Sequence, residues 1–148
     1  MTSSANIFLY GSLIFPSVYR AVTGTERPMV DAILPGYRRF GTDQPSSHGC
    51  PVVVPSPSHH VCGKVIFGVS LSELAILDLF EEVQEGLYMR DSVTVLIERA
   101  EAPAFVYVCG PTSRDHLCGE WCPEEFEARY LEEFLRGPVR DFSLSLKR

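Results

Sequence analysis

The chain has 148 residues, 45% hydrophobic and 22% charged, with a formal net charge of −6 from 19 acidic and 13 basic side chains. That composition excludes a disordered chain, and at this length it reads as one domain over residues 1–148, burying roughly two-thirds of its unfolded surface. The only basic pairs are Arg38 with Arg39 and Lys147 with Arg148, so non-specific nucleic-acid binding is excluded, and no apolar run approaches the ~18 residues of a membrane span.

The first six residues lack the positive charge of a secretory leader, so a cytoplasmic location is the expectation. In chain order, residues 7–10 are an apolar run that reads as a buried first strand, broken by Gly11 and Ser12. Pro16 opens a short helix over 16–22 that stops before Gly24. Residues 29–40 read as a strand interrupted at Pro35 and Gly36. A turn-rich stretch follows over 42–60, containing Pro45, Ser46, Ser47, Gly49, Pro51, Pro55, Ser56, Pro57 and Ser58. Inside it Val52, Val53 and Val54 make a short strand, and residues 61–69, rich in β-branched side chains, make the next. Ser70 and Glu73 form a capping box that opens a helix running to about Glu82. Two strands follow at 87–98 and 104–108, the first alternating Val93, Val95 and Ile97. The last helix spans 123–136: Pro123 suits its first turn, Glu124 and Glu125 favour its positive end, and Gly137 with Pro138 end it. Phe126, Tyr130 and Phe134, four residues apart, give that helix its buried face. This order lacks a regular βαβα alternation and implies an α+β fold on a mixed sheet or small barrel.

Five cysteines, at 50, 62, 109, 118 and 122, are an odd number without a secretion signal, so reduced thiols are expected. His48, His60 and His116 each stand two residues before a cysteine, but no CxxC knuckle occurs. The expectation is therefore no metal, with the cysteines serving as small apolar residues on strands.

Three features carry possible chemistry. Residues 10–13, Tyr10-Gly11-Ser12-Leu13, form a turn directly after a buried strand: by pattern alone an ordinary strand-to-helix turn, but one whose backbone amides suit a carboxylate or a developing oxyanion. Ser12 lacks the GxSxG elbow of a nucleophile. Next, Asp78, Glu81 and Glu82 end the middle helix against its negative pole. Helical phase puts Asp78 and Glu82 on an exposed flank and Glu81 on the apolar side, between Leu74 and Leu77. A carboxyl so placed has a raised pKa, as a general base near neutral pH requires; the other reading is a solvated helix end with three surface acids. Finally, Tyr88 and Arg90 share one face of a strand, placed to hydrogen-bond a buried carboxylate or a substrate, and Trp121 precedes the last helix, where it suits an apolar wall or plain packing.

Five segments occur in order: residues 10–13, 34–40 (Leu-Pro-Gly-Tyr-Arg-Arg-Phe), Gly63-Lys64-Val65, 77–81 (Leu-Asp-Leu-Phe-Glu), and Tyr88-Met89-Arg90 with Val93-Thr94-Val95. Together they resemble the AIG2-like members of the gamma-glutamylcyclotransferase-like superfamily, over about residues 6–136. The stretches 104–108, 117–121 and 124–126 look like the plant and fungal AIG2 branch. The resemblance implies a small mixed β-barrel with flanking helices. It also implies a transferase, of acyltransferase type, that cyclises a γ-glutamyl group to 5-oxoproline with release of an amine. Glu81 would be the catalytic acid and base. Tyr10, Gly11, Ser12, Leu13, Tyr88, Arg90 and Trp121 would line the substrate site. No cofactor and no metal is implied, and the partner is a small-molecule γ-glutamyl substrate, with no nucleic acid and no membrane. The oligomeric state is not legible. Two alternatives stay open: a non-catalytic binding or regulatory protein on the same fold, and a γ-glutamyl or acyl transferase to another acceptor. Glu85 and Gly86 lengthen the segment between Glu81 and Tyr88 relative to the family pattern.

Overall fold

Strands form where β-branched and aromatic residues alternate or run together, and most of the breaks between them fall on glycine or proline. The computed structural model describes residues 4–44 and 48–147, so Pro45, Ser46 and Ser47 of the turn-rich stretch, and Arg148 of the terminal basic pair, lie outside the described residues. Among these, six strands form one mixed sheet: β1 (Ser4–Leu9), β2 (Val30–Thr42), β3 (Val52–Ser70), β4 (Tyr88–Ile97), β5 (Ala100–Cys109) and β6 (Leu117–Cys118). The order is β3-β1-β5-β4-β2-β6; β1 and β5 run parallel and the other neighbours antiparallel. β2 pairs back onto β3 from Val30 opposite Val65 to Phe40 opposite Val52, but it meets β4 at one registered pair, Ile33 opposite Leu96. The sheet curls on itself without becoming a strict barrel.

The curl creates two cores. Phe8, Tyr10, Leu34, Val53, Val65, Val95, Val106 and Val108 fill the concave side. Ile7, Leu9, Ile66, Val69, Tyr88 and Tyr107 face the helices on the other side. Period-two alternation puts neighbours in β1 into different cores, which is why residues 7–10 are apolar throughout.

β3 is longer than the sequence predicts. The ladder pairs Tyr37 with Pro55 and Pro35 with His60, so residues 56–59 bulge outward opposite Gly36, which takes a φ of +80°. Pro57 lies on that exposed excursion, where no ladder amide is needed. β4 and β5 join through Glu98 and Arg99, both at positive φ, the geometry of a two-residue hairpin that follows strand twist.

The helices are α1 (Pro16–Thr23), α2 (Leu71–Phe80), α3 (Pro123–Arg129), α4 (Leu131–Phe134) and α5 (Arg140–Ser145). The Ser70 hydroxyl accepts the Glu73 amide at 3.2 Å and caps the start of α2, but the predicted capping box is only half formed, because the Glu73 carboxylate turns to other partners. Buried Glu73 also takes both nitrogens of a forked Arg27 ion pair at 2.8 Å and a hydrogen bond from the Tyr19 hydroxyl, tying α2 to α1. The last helix departs from the sequence reading twice. It breaks at Tyr130 (φ −124°), which leaves that side chain half-exposed rather than in the core. Gly137 and Pro138 do not end it: residues Leu135–Val139 widen into a π turn and α5 continues to Ser145. Proline lacks an amide and clashes with the carbonyl four residues back, and a widened turn relieves both problems. No helix among the described residues is long and apolar enough to cross a membrane.

Candidate active site

Helix α2 runs out at Phe80, and its last turn decides where the neighbouring carboxyls go. The Glu81 amide donates to the Leu77 carbonyl at 2.9 Å, and Glu82 then adopts a left-handed φ of +51°. Hydrogen bonds from the Val83 amide to the Asp78 carbonyl and from Leu87 to Glu82, both 3.1 Å, hold the following turn. This turn absorbs the extra Glu85 and Gly86, with Gly86 at φ +83°, and returns the chain in register for Tyr88 at the start of β4.

A cavity of about 480 Å³ lies between this turn, residues 10–13 and the C-terminal helical stretch. Glu81 lines it as helical phase predicts, together with Tyr10, Gly11, Ser12, Leu13 and Tyr88. Burial, then the negative charges of Glu82 and Asp78, push the Glu81 carboxyl up from an ordinary 4.5 to about 8. Among the described residues no side chain hydrogen-bonds it.

The 10–13 turn is a single 3₁₀ turn, Ser12–Ile14. The Ile14 and Phe15 amides donate to the Gly11 and Ser12 carbonyls at 3.1 and 3.3 Å. The amides of Gly11, Ser12 and Leu13 precede that ladder and find no acceptor among the described residues. Gly11 has little room for a side chain, since a Cβ there would lie 3.0 Å from Cδ of Pro51. The Arg39 guanidinium donates to the Tyr10 carbonyl at 3.0 Å and braces the turn from behind. The Tyr10 hydroxyl is engaged by the Tyr107 carbonyl, and the Tyr88 hydroxyl donates to the Pro51 carbonyl at 2.7 Å. Burial and the nearby Glu81 charge hold both phenols neutral. Burial pushes the Cys50 thiol up to about 12.

Several expected positions differ. Asp78 is not on an open flank: Arg90 donates to it at 2.7 Å and the Tyr107 hydroxyl at 2.8 Å, so it pins the last turn of α2 to β4 and β5. Glu82 is half-buried and lines the cavity, because the left-handed turn swings it there. Arg90 does not line the cavity, since Asp78 and the Phe105 ring occupy its guanidinium. Trp121 does not either: its indole donates to the Gly49 carbonyl at 3.0 Å and its ring packs on Phe126 and under Arg39. Cys50 and Cys109 are buried, but Cys62, Cys118 and Cys122 are exposed, so the apolar reading holds for two of the five. Among the described residues no three His, Cys, Asp or Glu side chains converge as metal ligands would.

Cavity residues that the sequence reading passed over include His48, Cys50, Pro51 and Tyr107, and the wall formed by Phe80, Phe134, Pro138, Phe142 and Leu146. Of these, positions 134, 138, 142 and 146 stand four apart, a helical stripe running straight through the supposed stop at Gly137 and Pro138.

Residues 7–123 match the family described as gamma-glutamyl cyclotransferase, AIG2-like. The chain belongs to this family. An AIG2-like protein D of Arabidopsis thaliana is 32% identical over 134 residues, covering 88% of this chain and 84% of that protein. A solution structure of an Arabidopsis thaliana protein superposes with a TM-score of 0.67 at 30% identity, covering 89% of this chain and 86% of that one. A solved gamma-glutamyl cyclotransferase shares the fold, with a TM-score of 0.65 at 22% identity over 79% of this chain and 70% of its own. In this AIG2-like chain the matched region holds Glu81 and the 10–13 turn, whereas the helical stripe from Phe134 to Leu146 lies beyond it.

Proposed function

We propose that this chain is a γ-glutamyl cyclotransferase, converting a γ-glutamyl amide to 5-oxoproline and a released amine. One observation carries the reading: a carboxyl with no hydrogen-bond partner among the described side chains, raised to about 8, shares a cavity with three backbone amides that find no acceptor among the described residues. Family membership supports the same reaction class.

The substrate brings an α-ammonium, an α-carboxylate and a γ-carbonyl. The amides of Gly11, Ser12 and Leu13 suit the carboxylate or the oxyanion that develops on the carbonyl. An ammonium beside Glu81 favours its ionised form, so binding itself prepares the base. Glu81 takes one proton from the ammonium, and the freed amine attacks the γ-carbonyl carbon. The new C–N bond closes the five-membered ring. Glu81 returns that proton to the amide nitrogen as the amide C–N bond breaks, and, a carboxylate again, takes the second proton from the ring nitrogen and passes it to the departing amine, which leaves as an ammonium. Proton and charge are conserved overall, with Glu81 as base and then acid. Asp78 is a positioning residue here: it fixes the turn that aims Glu81.

The test is 5-oxoproline release from a panel of γ-glutamyl compounds by wild type and Glu81→Gln. Turnover should fall by about 10²–10⁴-fold in the variant. Substrate affinity, measured by calorimetry, should change far less, because the amides still hold the substrate. Near-normal release by Glu81→Gln overturns the assignment.

A further inference from the structure

We infer that the amine released at this site is apolar and aromatic and carries no carboxylate. The inference rests on the γ-glutamyl reading and names the leaving-group side of its substrate.

The cavity is sorted by depth. Its floor is closed: Ser12, Leu13, Tyr88 and Tyr107 are at most 5% exposed, Phe8, Leu9 and Leu87 are buried with them, and the 10–13 turn and Glu81 supply the polar groups at this depth. Its mouth is open: Leu79 is 57% and Leu146 is 40% exposed, Phe80 and Phe142 are half-buried, and exposed His48, Glu85 and Ser145 complete the lining there. The γ-glutamyl head, with its ammonium, carboxylate and carbonyl, needs the floor. The substituent on the amide nitrogen then extends toward the mouth.

What it meets there is aromatic. The Phe80 ring stands edge-on to Phe142 at 5.2 Å and to Phe134 at 6.3 Å. Another ring entering such a cluster gains both apolar burial and edge-to-face contact. The charges point the same way. Glu82 and Glu85 line the cavity, and among the described residues no lysine or arginine does, His48 being the one basic side chain on its wall. A leaving amino acid or peptide would set its own carboxylate among these acids with no cation to receive it, and an ammonium-bearing amine would have to desolvate its charge against phenylalanine and leucine.

The experiment uses four compounds: the γ-glutamyl derivatives of 2-phenylethylamine, ethylamine, phenylalanine and 1,4-diaminobutane. Phenylalanine adds only a carboxylate to the phenylethyl group, and ethylamine removes only the ring. Binding is measured by calorimetry on Glu81→Gln, which separates recognition from turnover. The phenylethylamide should bind at least about ten-fold tighter than the ethylamide, and about ten-fold or more tighter than the phenylalanine and aminobutyl compounds. Phe142→Ala in the same background should shrink the phenylethyl-to-ethyl ratio several-fold. Leu146→Ala, at an exposed position, gives the same readout should Phe142→Ala fail to fold. Equal or tighter binding of the ethyl, phenylalanine or aminobutyl compound, or no binding of any, overturns the inference. Turnover of the same four by wild type is scored separately. Absence of 5-oxoproline with the binding order intact removes the cyclotransferase reading alone. Release with another order of preference removes the aromatic-amine inference alone.

Discussion

Replacing Glu81 by glutamine should make the protein more stable, by an amount that grows with pH. In the unfolded chain this carboxyl titrates near ~4.3; in the folded protein it is held at about 8 by burial and by the charges of Glu82 and Asp78. A carboxyl whose folded pKa lies above its unfolded one contributes its stability fully below the unfolded value and loses it as pH rises through the folded value. Below about pH 4 the neutral acid and the amide are near equals in shape and charge, so the two proteins should melt together. Between about pH 4.3 and 8 unfolding of the wild type releases a proton, and its stability falls relative to the variant by up to about 1.4 kcal/mol per pH unit. The ceiling is about 5 kcal/mol for a wholly dry site. Glu81 keeps partial contact with the open cavity, which reduces this to about 2–3 kcal/mol. At this chain length that corresponds to a Tm gap of about 5–10 °C at pH 9. Scanning calorimetry of both proteins at pH 4, 6, 7.5 and 9 reads the gap directly. A gap that stays flat, or that narrows as pH rises, refutes the account of how this carboxyl is held.

Three further outcomes follow from the same geometry. Asp78→Asn removes one of the negative charges that raise Glu81, so the rising limb of kcat/KM against pH should move to lower pH; losing the half-exposed pair with Arg90 should cost about 1 kcal/mol in urea unfolding. A limb that stays in place would mean that Asp78 does not act on Glu81 through charge. Gly11→Ala pushes a methyl against the Pro51 ring, whose carbonyl holds Tyr88, so it should lower stability by about 1–3 kcal/mol and turnover with it; a fully active, equally stable variant would contradict the close approach. Arg27→Met strands the buried Glu73 carboxylate at the start of α2, and denaturant unfolding should show a loss of about 2–4 kcal/mol, whereas 5-oxoproline release at a temperature well below Tm should change little.

What the sequence determined by itself is what local periodicity and capping encode. The Ser70 cap sets where α2 begins, and the 3.6-residue period then carries Glu81 to the apolar side ten residues later. The apolar run at 7–10 marks a strand covered on both faces, and the glycine after it marks the turn that lines the cavity. These features depend on neighbours three or four residues away, so they are legible in one dimension, and the motif order around them added the family. What only the tertiary structure decided depends on faces meeting across the fold. The Tyr88 hydroxyl finds Pro51 across a separation of 37 residues, and Tyr107 finds Asp78 across 29, because β2 curls back onto β3 and brings the sheet's ends together. Strand spacing puts Arg90 on the face of Tyr88, but a guanidinium goes to the strongest acceptor within reach, and that is Asp78 rather than the cavity. The same holds for the aromatic wall. Local rules read Gly137 and Pro138 as an end, yet a π turn stabilised by the packing of Phe134 and Val139 carries the helix on and delivers Phe142 and Leu146 to the mouth of the site.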